Sequence, residues 1–148
     1  MNNKLAEIIK QTESARYATD AGLVMHAKLQ GVRLGQNSTG DQELIQKIES
    51  SDNELKSFFS QDSKTEVPVA GVVNGRFLSR RIDRMIVDDN EKNVQILDYK
   101  TDINPDTYRA KYIVQLREYV SLLKQIYPKY TVSAYILWLH NWTLERII

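Results

Sequence analysis

The chain of 148 residues contains no cysteine. This absence excludes disulfides, thiolate zinc sites, iron–sulfur clusters and cysteine nucleophiles together. The chain also has no run of about 18 apolar residues and no apolar signal core near its start, so we expect a soluble, cytoplasmic protein. It has no glycine-rich phosphate loop ending in Gly-Lys-Ser/Thr, so we expect neither a bound nucleotide nor a nucleotide-driven motor.

The charge balance and the length bound the class of protein. Twenty lysine and arginine residues stand against 19 aspartate and glutamate residues, a net charge of +1. Bulk charge therefore indicates no nucleic-acid or membrane partner, and any nucleic-acid footprint must be local. The length fits a single domain over residues 1–148. We divide it into a helical N-terminal part, 1–60, and an αβ core, 64–148.

Apolar residues at helical spacing dominate the N-terminal part. They predict one helix over 4–17 and a second up to about residue 30. Two short helices are expected further on, one carrying Leu44 and Ile48 and the other carrying Leu55 and Phe59. The intervening residues, 31–41, are rich in glycine and asparagine, which predicts a loop.

The pattern changes to strands at residue 64. Valine and isoleucine dominate, with turn signals at Asn74-Gly75 and over 89–92, which predicts a three-stranded antiparallel meander. Helical spacing returns from about Tyr108 to Tyr127, and a β-prone apolar run then covers 131–140. A short last strand is expected in TLERII. The order of these elements predicts a mixed α/β fold.

The stretch QILDYKTD, residues 95–102, places a carboxylate and an ammonium inside a buried strand. Such charges are costly in a protein core unless they are paired, bound to a metal or used in chemistry. Because side chains alternate along a strand, Asp98 and Lys100 are expected to point the same way, roughly 7 Å apart.

The hairpin register brings a second carboxylate to the same place. If Val87 faces Val94 and the pairing is regular, Asp83 lies directly opposite Asp98. Two opposed carboxylates repel each other, and a divalent cation would resolve that repulsion. Carboxylate oxygens suit Mg²⁺ or Mn²⁺, and Lys100 could stabilise negative charge during phosphodiester hydrolysis. The alternative interpretation is a pair of edge-strand charges with a salt-bridging lysine.

Five short segments follow one another along the chain in the order of a known family's motifs. They are GLVMH (22–26), TEVPVAG (65–71), RRIDRMIV (80–87), ILDYKTD (96–102) and QLREY (115–119). Their order and spacing resemble the PD-(D/E)XK nuclease superfamily, and within it the RecB/AddA-type nuclease domain. The resemblance covers nearly the whole chain and implies a restriction-endonuclease-like core. One departure is Arg80, where the family usually has glycine; it could crowd the approach of DNA or add a phosphate contact.

The resemblance implies a role for each matching residue. The implied metal ligands are His26, Asp83, Asp98 and the backbone carbonyl of Tyr99. The other implied site residues are the catalytic lysine, Lys100, the helix residues Gln115 and Tyr119, and Glu66, a supporting acid whose role stays open. The implied cofactor is Mg²⁺ or Mn²⁺. An imidazole ligand suits Mn²⁺ better, so we expect higher activity with Mn²⁺.

Positive side chains concentrate on the meander and the following helix. They are Arg76, Arg80, Arg81, Arg84 and Lys111. We predict that these residues hold DNA phosphates and make binding salt-sensitive, with a solvated surface as the alternative. Nothing indicates a base-reading module, so little sequence specificity is expected.

These features together predict a metal-dependent DNA nuclease. It is expected to act in an exonuclease-like manner on DNA ends or single strands in recombination and repair. A helicase or a second nuclease subunit is the expected protein partner. Two alternatives stay open: a catalytically inactive DNA- or partner-binding module of a split helicase–nuclease, and a structure-selective endonuclease.

Overall fold

The N-terminal half of the chain forms short helices. The structure, a computed structural model, describes residues 22–102 and 105–148. Within them α1 covers 22–30, α2 covers Gln42–Glu49 and α3 covers Asn53–Ser57. The two predicted short helices are therefore confirmed, and residues 31–41 form a loop closed by a bridge between Arg33 and Thr39. The predicted helix over 4–17 lies outside the described residues.

Local sequence explains where α2 begins and which way it faces. The Asp41 carboxylate accepts a hydrogen bond from the Leu44 N–H at 3.0 Å, which satisfies one of the free donors of the first turn. Leu44, Ile45 and Ile48 are buried on one side of the helix. Their helical spacing directs this apolar stripe to the core.

The C-terminal part alternates between strands and one long helix. Its elements are β1 Lys64–Val73, β2 Arg76–Asp88, β3 Asn93–Lys100, α4 Pro105–Ile126, β4 Thr131–Trp138 and β5 Thr143–Arg146. Helix α4 begins at Pro105, three residues before the predicted start at about Tyr108, because proline is favoured at the first position of a helix. No helix among residues 22–102 and 105–148 is long and apolar enough to cross a membrane.

The strands form one five-stranded sheet in the order β1-β2-β3-β4-β5. The first three strands are an antiparallel meander, as predicted. β4 pairs parallel to β3 after the crossover through α4, and β5 returns antiparallel. The predicted mixed α/β class is confirmed. β4 is buried from Val132 to Trp138 because helices cover both faces of the sheet at this strand.

Two apolar clusters lie on the two faces of the sheet. On one face, Leu116 and Leu123 of α4 pack against strand residues such as Ile96 and Ile136. The other cluster joins the N-terminal helices and the loop after α3 to β3 and β4, through residues that include Leu29, Phe58, Phe59, Leu97 and Tyr135. The sheet therefore separates α4 from α1, α2 and α3.

The predicted hairpin register is confirmed only in part. Met85 pairs with Ile96 and Val87 pairs with Val94, as the apolar pattern requires. The ladder stops at Arg84 and Leu97, however, so Asp83 is not a ladder partner of Asp98. The assumption of regular pairing was wrong.

The chain leaves regular strand geometry on both sides of Asp83. Ile82 and Met85 belong to the same apolar cluster although they are three residues apart, which a two-residue alternation does not allow. Across the β1–β2 ladder, Glu66 has a φ of 51°. A left-handed backbone at a residue that is not glycine costs roughly 1–2 kcal/mol and breaks the local pairing.

Candidate active site

Asp98 and Lys100 lie at the C-terminal end of β3, on the sheet face that carries α4. Lys100 Nζ is 2.8 Å from Asp98 Oδ2. Asp98 is only 5% exposed, and a carboxylate at this depth requires a cationic partner. The lysine supplies that charge from two residues along the same strand.

Asp83 occupies the gap where β2 and β3 separate. Its Oδ2 accepts a hydrogen bond from the Tyr99 N–H at 2.8 Å, in place of a strand partner. Its Oδ1 lies 3.6 Å from His26 Nδ1. The interruption of the ladder therefore turns the Asp83 carboxylate towards both β3 and α1.

His26 reaches the site from α1. Its ring meets the Tyr99 ring edge to face, with centroids 5.3 Å apart and an interplanar angle of 84°. Gly22, one helical turn earlier, is buried, and a β-carbon there would lie 3.1 Å from Thr101 Oγ1. Residues i and i+4 share a helix face. The Gly-x-x-x-His spacing therefore lets α1 approach the end of β3 closely and direct His26 to Asp83.

A hydrogen-bonded chain of side chains extends from Lys100 along α4. Lys100 Nζ donates to Gln115 Oε1 at 2.8 Å, and Gln115 Nε2 donates to the Tyr119 hydroxyl at 2.8 Å. Gln115 and Tyr119 are neighbours at i and i+4 on one face of the helix. The lysine ammonium is thus held between a carboxylate and an amide oxygen.

Tyr112 is a further residue of this site that the sequence interpretation did not single out. The Lys100 ammonium lies 4.2 Å from the centroid of its ring. Its hydroxyl donates a hydrogen bond to Asp102. The available signal was its place on the same helix stripe as Gln115 and Tyr119, but an aromatic residue on such a stripe is usually a packing residue.

The two carboxyl groups of the site differ in acidity. Burial raises the pKa of Asp98 to about 7; Lys100 opposes this shift, whereas Asp83 adds to it. Burial also acts to raise the pKa of Asp83, but the nearby His26 ring and the hydrogen bond from the Tyr99 N–H together hold that pKa below its ordinary value. The nearby Asp83 carboxylate raises the pKa of His26, against the effect of burial.

The donor atoms at this point suit a hard divalent cation. Asp98 Oδ2 is buried and accepts no hydrogen bond of good geometry, although Lys100 Nζ is close to it. Carboxylate oxygens from Asp83 and Asp98 are the ligands that Mg²⁺ and Mn²⁺ prefer. Among the described residues, however, no three His, Asp or Glu side chains are grouped as a preassembled metal site.

Arg84 does not line a DNA-binding surface, contrary to the prediction. It is 0% exposed. Its guanidinium contacts backbone carbonyls, two hydroxyl groups and the Phe59 ring. Arg84 alternates with Met85, which faces α4, so its side chain lies on the opposite face of the sheet. The prediction failed because α1, α2 and α3 cover that face and exclude Arg84 from solvent.

The other predicted basic residues do not form one continuous patch. Arg80 is paired with Glu118 of α4 at 3.2 Å, whereas Arg81, its neighbour in β2, is exposed on the opposite face, 3.8 Å from Glu66. Arg76 lines an open cleft of about 320 Å³ between the β1–β2 hairpin and α4. Lys111 is exposed on α4.

Another open groove lies away from these charged residues. It has a volume of about 640 Å³ and is lined by residues of α2, the α2–α3 turn and the region around Trp142.

No model of a known protein family matches the chain, and no curated protein matches it significantly.

Proposed function

We propose that this chain is a divalent-cation-dependent nuclease that hydrolyses phosphodiester bonds of DNA. One observation carries the proposal. Asp83, Asp98 and Lys100, with His26, converge at one end of β3, and the buried Asp98 Oδ2 accepts no hydrogen bond of good geometry. Buried carboxylates with divergent pKa values beside a lysine are typical of hydrolytic sites.

The chemistry of each side chain suggests its role in hydrolysis. Asp83, Asp98, the Tyr99 carbonyl and His26 would hold Mg²⁺ or Mn²⁺, which when bound lowers the pKa of water and polarises a phosphoryl oxygen. Lys100 would orient the attacking water or stabilise negative charge on the phosphoryl group.

The helix residues Gln115 and Tyr119 hold the lysine in place from above. Gln115 binds the ammonium directly, and Tyr119 fixes the amide orientation of Gln115. Tyr112 covers the ammonium from a third side. A lysine with so little conformational freedom is pre-organised for a fixed geometry.

The topology supports a finer classification of the fold. We propose a restriction-endonuclease-like core, in which the meander, the crossover helix α4 and the parallel strand β4 form the frame. Such a frame places β3 beside the crossover strand β4 and under α4. The charged end of β3 would therefore be the reactive edge.

The substrate would be DNA ends or single strands, without strong sequence preference. Arg76, Arg81 and Lys111 are exposed and could reach phosphates, although Arg81 also lies 3.8 Å from Glu66. A helicase or second nuclease subunit would supply any processive movement along DNA. Cytoplasmic location and a role in recombination or repair belong to the same proposal.

The test is cleavage of end-labelled single- and double-stranded DNA beside a closed circular substrate, with Mg²⁺, Mn²⁺ or EDTA. We expect metal-dependent cleavage that Lys100→Ala abolishes while Lys129→Ala, an exposed lysine beyond the end of α4, leaves it intact. Cleavage that survives in Lys100→Ala, or that persists in EDTA, would refute the assigned roles.

A second candidate is a catalytically inactive DNA- or partner-binding module. The direct Lys100–Asp98 pair favours it, because an acid neutralised by its own lysine serves stability without a metal. This candidate predicts DNA binding with no cleavage under any metal. A structure-selective endonuclease would instead cut a branched DNA added to the same assay.

A further inference from the structure

The guanidinium of Arg84 is buried with every donor used. Arg84 Nε donates to the Tyr99 hydroxyl at 2.9 Å, and Nη1 donates to Ser63 Oγ at 2.7 Å and to the Phe58 carbonyl at 3.2 Å. Nη2 donates to carbonyls beyond these. An arginine has five N–H donors, and a buried cation must satisfy all of them.

Three of the acceptors lie at the C-terminal end of α1 or just after it. They are the carbonyls of Leu29 at 2.7 Å, Gln30 at 3.4 Å and Val32 at 2.5 Å. The last four carbonyls of a helix have no partner within the helix, and a cation at this end is favourable. Among the described residues, no carboxylate pairs with Arg84. The end of α1 therefore takes the place of a counter-ion.

The position of Arg84 in β2 links this end of the helix to the candidate site. Asp83, the preceding residue, contacts His26 in the middle of α1. Leu29 lies three residues after His26, so the two contacts are about one helical turn apart. Two consecutive residues of β2 thus hold the same helix at two points, and Tyr99 contacts both of them.

We propose that Arg84 is a positioning residue that fixes α1 against β2 and so directs His26 to Asp83. It touches neither substrate nor metal. Without its guanidinium, the carbonyls of Gln30, Val32 and Phe58 lose the donor described for them. Apolar packing of Leu29 and Val32 remains, but among the described residues no other side-chain hydrogen bond or ion pair joins the C-terminal end of α1 to β2. The consequence for metal affinity rests on the proposed function, whereas the position of the helix does not.

The absence of cysteine makes the helix position directly measurable. Spin labels on Ala27→Cys in α1 and Ser79→Cys in β2, both exposed positions, report the distance between these elements. We expect a narrow distance distribution in the labelled parent. Arg84→Lys keeps the charge but loses the planar fork, so we expect a broadened or shifted distribution.

A second measurement separates positioning from stability. Mn²⁺ binding, followed by the EPR signal of the free ion, is expected to weaken about 10- to 100-fold in Arg84→Lys, as for other residues that support metal ligands. Arg33→Lys is the matched control, because Arg33 also donates to Ser63 but not to α1. It should lower thermal stability without moving the helix or changing Mn²⁺ affinity.

The double variant Ser63→Ala/Tyr99→Phe covers the case in which Arg84→Lys does not fold. It removes two side-chain acceptors and leaves Arg84 itself, so the helix is expected to loosen to a smaller degree. An unchanged distance distribution in the folded variants would overturn the proposal, as would a moved helix with parental Mn²⁺ affinity. If the parent binds no Mn²⁺, the proposed metal site fails, and the distance measurement alone decides the role of Arg84.

Discussion

At the scale of single residues, Asp98 dominates the electrostatics of the candidate site. Burial raises its pKa to about 7, and the adjacent Lys100 does not fully offset this effect. The pKa of Asp83 is instead held low by its contact with His26 and, more weakly, by the hydrogen bond from the Tyr99 N–H. The two acids therefore differ in protonation near neutral pH, although both lie at the same end of the meander.

We expect Mn²⁺ affinity to rise steeply between pH 6 and pH 8. A metal ligand must lose its proton, so a pKa of about 7 at Asp98 makes the cation compete with one proton below that pH. The raised pKa of His26 acts in the same direction. At pH values below the pKa values of both Asp98 and His26, Mn²⁺ affinity should rise about tenfold per pH unit for each proton released.

Titration of the free Mn²⁺ EPR signal at several pH values measures this dependence. The matched variants are Asp98→Asn and His26→Gln. Each should reduce by one the number of protons released when Mn²⁺ binds, so Mn²⁺ affinity should depend less steeply on pH. Affinity that stays constant from pH 6 to pH 8 in the parent would contradict the assignment of Asp98 as a ligand.

The chain Lys100–Gln115–Tyr119 predicts graded effects on activity. Gln115→Leu removes the acceptor of the lysine and should lower kcat about 10-fold or more at saturating metal, as for other supporting residues. Tyr119→Phe removes only the hydroxyl that orients the amide, so its loss should be smaller. Single-turnover cleavage measures both, and a larger loss in Tyr119→Phe than in Gln115→Leu would contradict this order.

At the scale of elements, the docking of α1 on β3 depends on a close approach. The buried Gly22 leaves room for Thr101, which follows the last residue of β3. The approach is needed because His26 must cross from a helix on one sheet face to the end of the strand. A side chain at residue 22 would therefore crowd the Thr101 side chain between α1 and the end of β3.

We expect Gly22→Val to destabilise the protein and Thr101→Ala to rescue it. Overpacking of this kind costs about 1–3 kcal/mol. Thr101→Ala removes the two nearest atoms, at 3.1 and 3.6 Å, and leaves only the β-carbon at 3.9 Å. A double-mutant cycle by urea unfolding measures the coupling. Additive free energies of unfolding would show that the two residues do not compete for this space.

At the scale of the whole molecule, the charge is nearly balanced, so the proposed DNA binding would rely on a few local contacts. The net charge is +1. Arg84 is buried and Arg80 is paired with Glu118, which leaves Arg76, Arg81 and Lys111 exposed among the predicted basic residues. A small number of phosphate contacts gives a shallow salt dependence.

We expect Arg76→Gln to reduce the salt slope of DNA binding by about one unit, because one phosphate contact is lost. Fluorescence anisotropy with a labelled oligonucleotide in EDTA, at several salt concentrations, measures the slope without cleavage. Arg146→Gln, in the strand at one edge of the sheet, should leave the slope unchanged. Equal slopes in the parent and Arg76→Gln would remove Arg76 from the binding surface.

The sequence predicted much of the frame of the molecule for simple reasons. The alternation of Val87 and Met85 against Val94 and Ile96 admits one register, because a slip of one residue would turn apolar side chains to the opposite face. The spacing of Gln115 and Tyr119 placed them side by side on a helix. The roles of these residues in chemistry stay predictions.

The sequence alone determined the order of the described elements from α2 onwards, the apolar part of the β2–β3 register and the shared face of Asp98 and Lys100, because these depend on local periodicity. Only the tertiary structure decided where the strand ladder breaks, that Tyr112 covers Lys100, and that Arg84 is buried rather than exposed. Those outcomes depend on contacts between residues far apart in the chain. Local periodicity carries no information about which face a helix from elsewhere will cover.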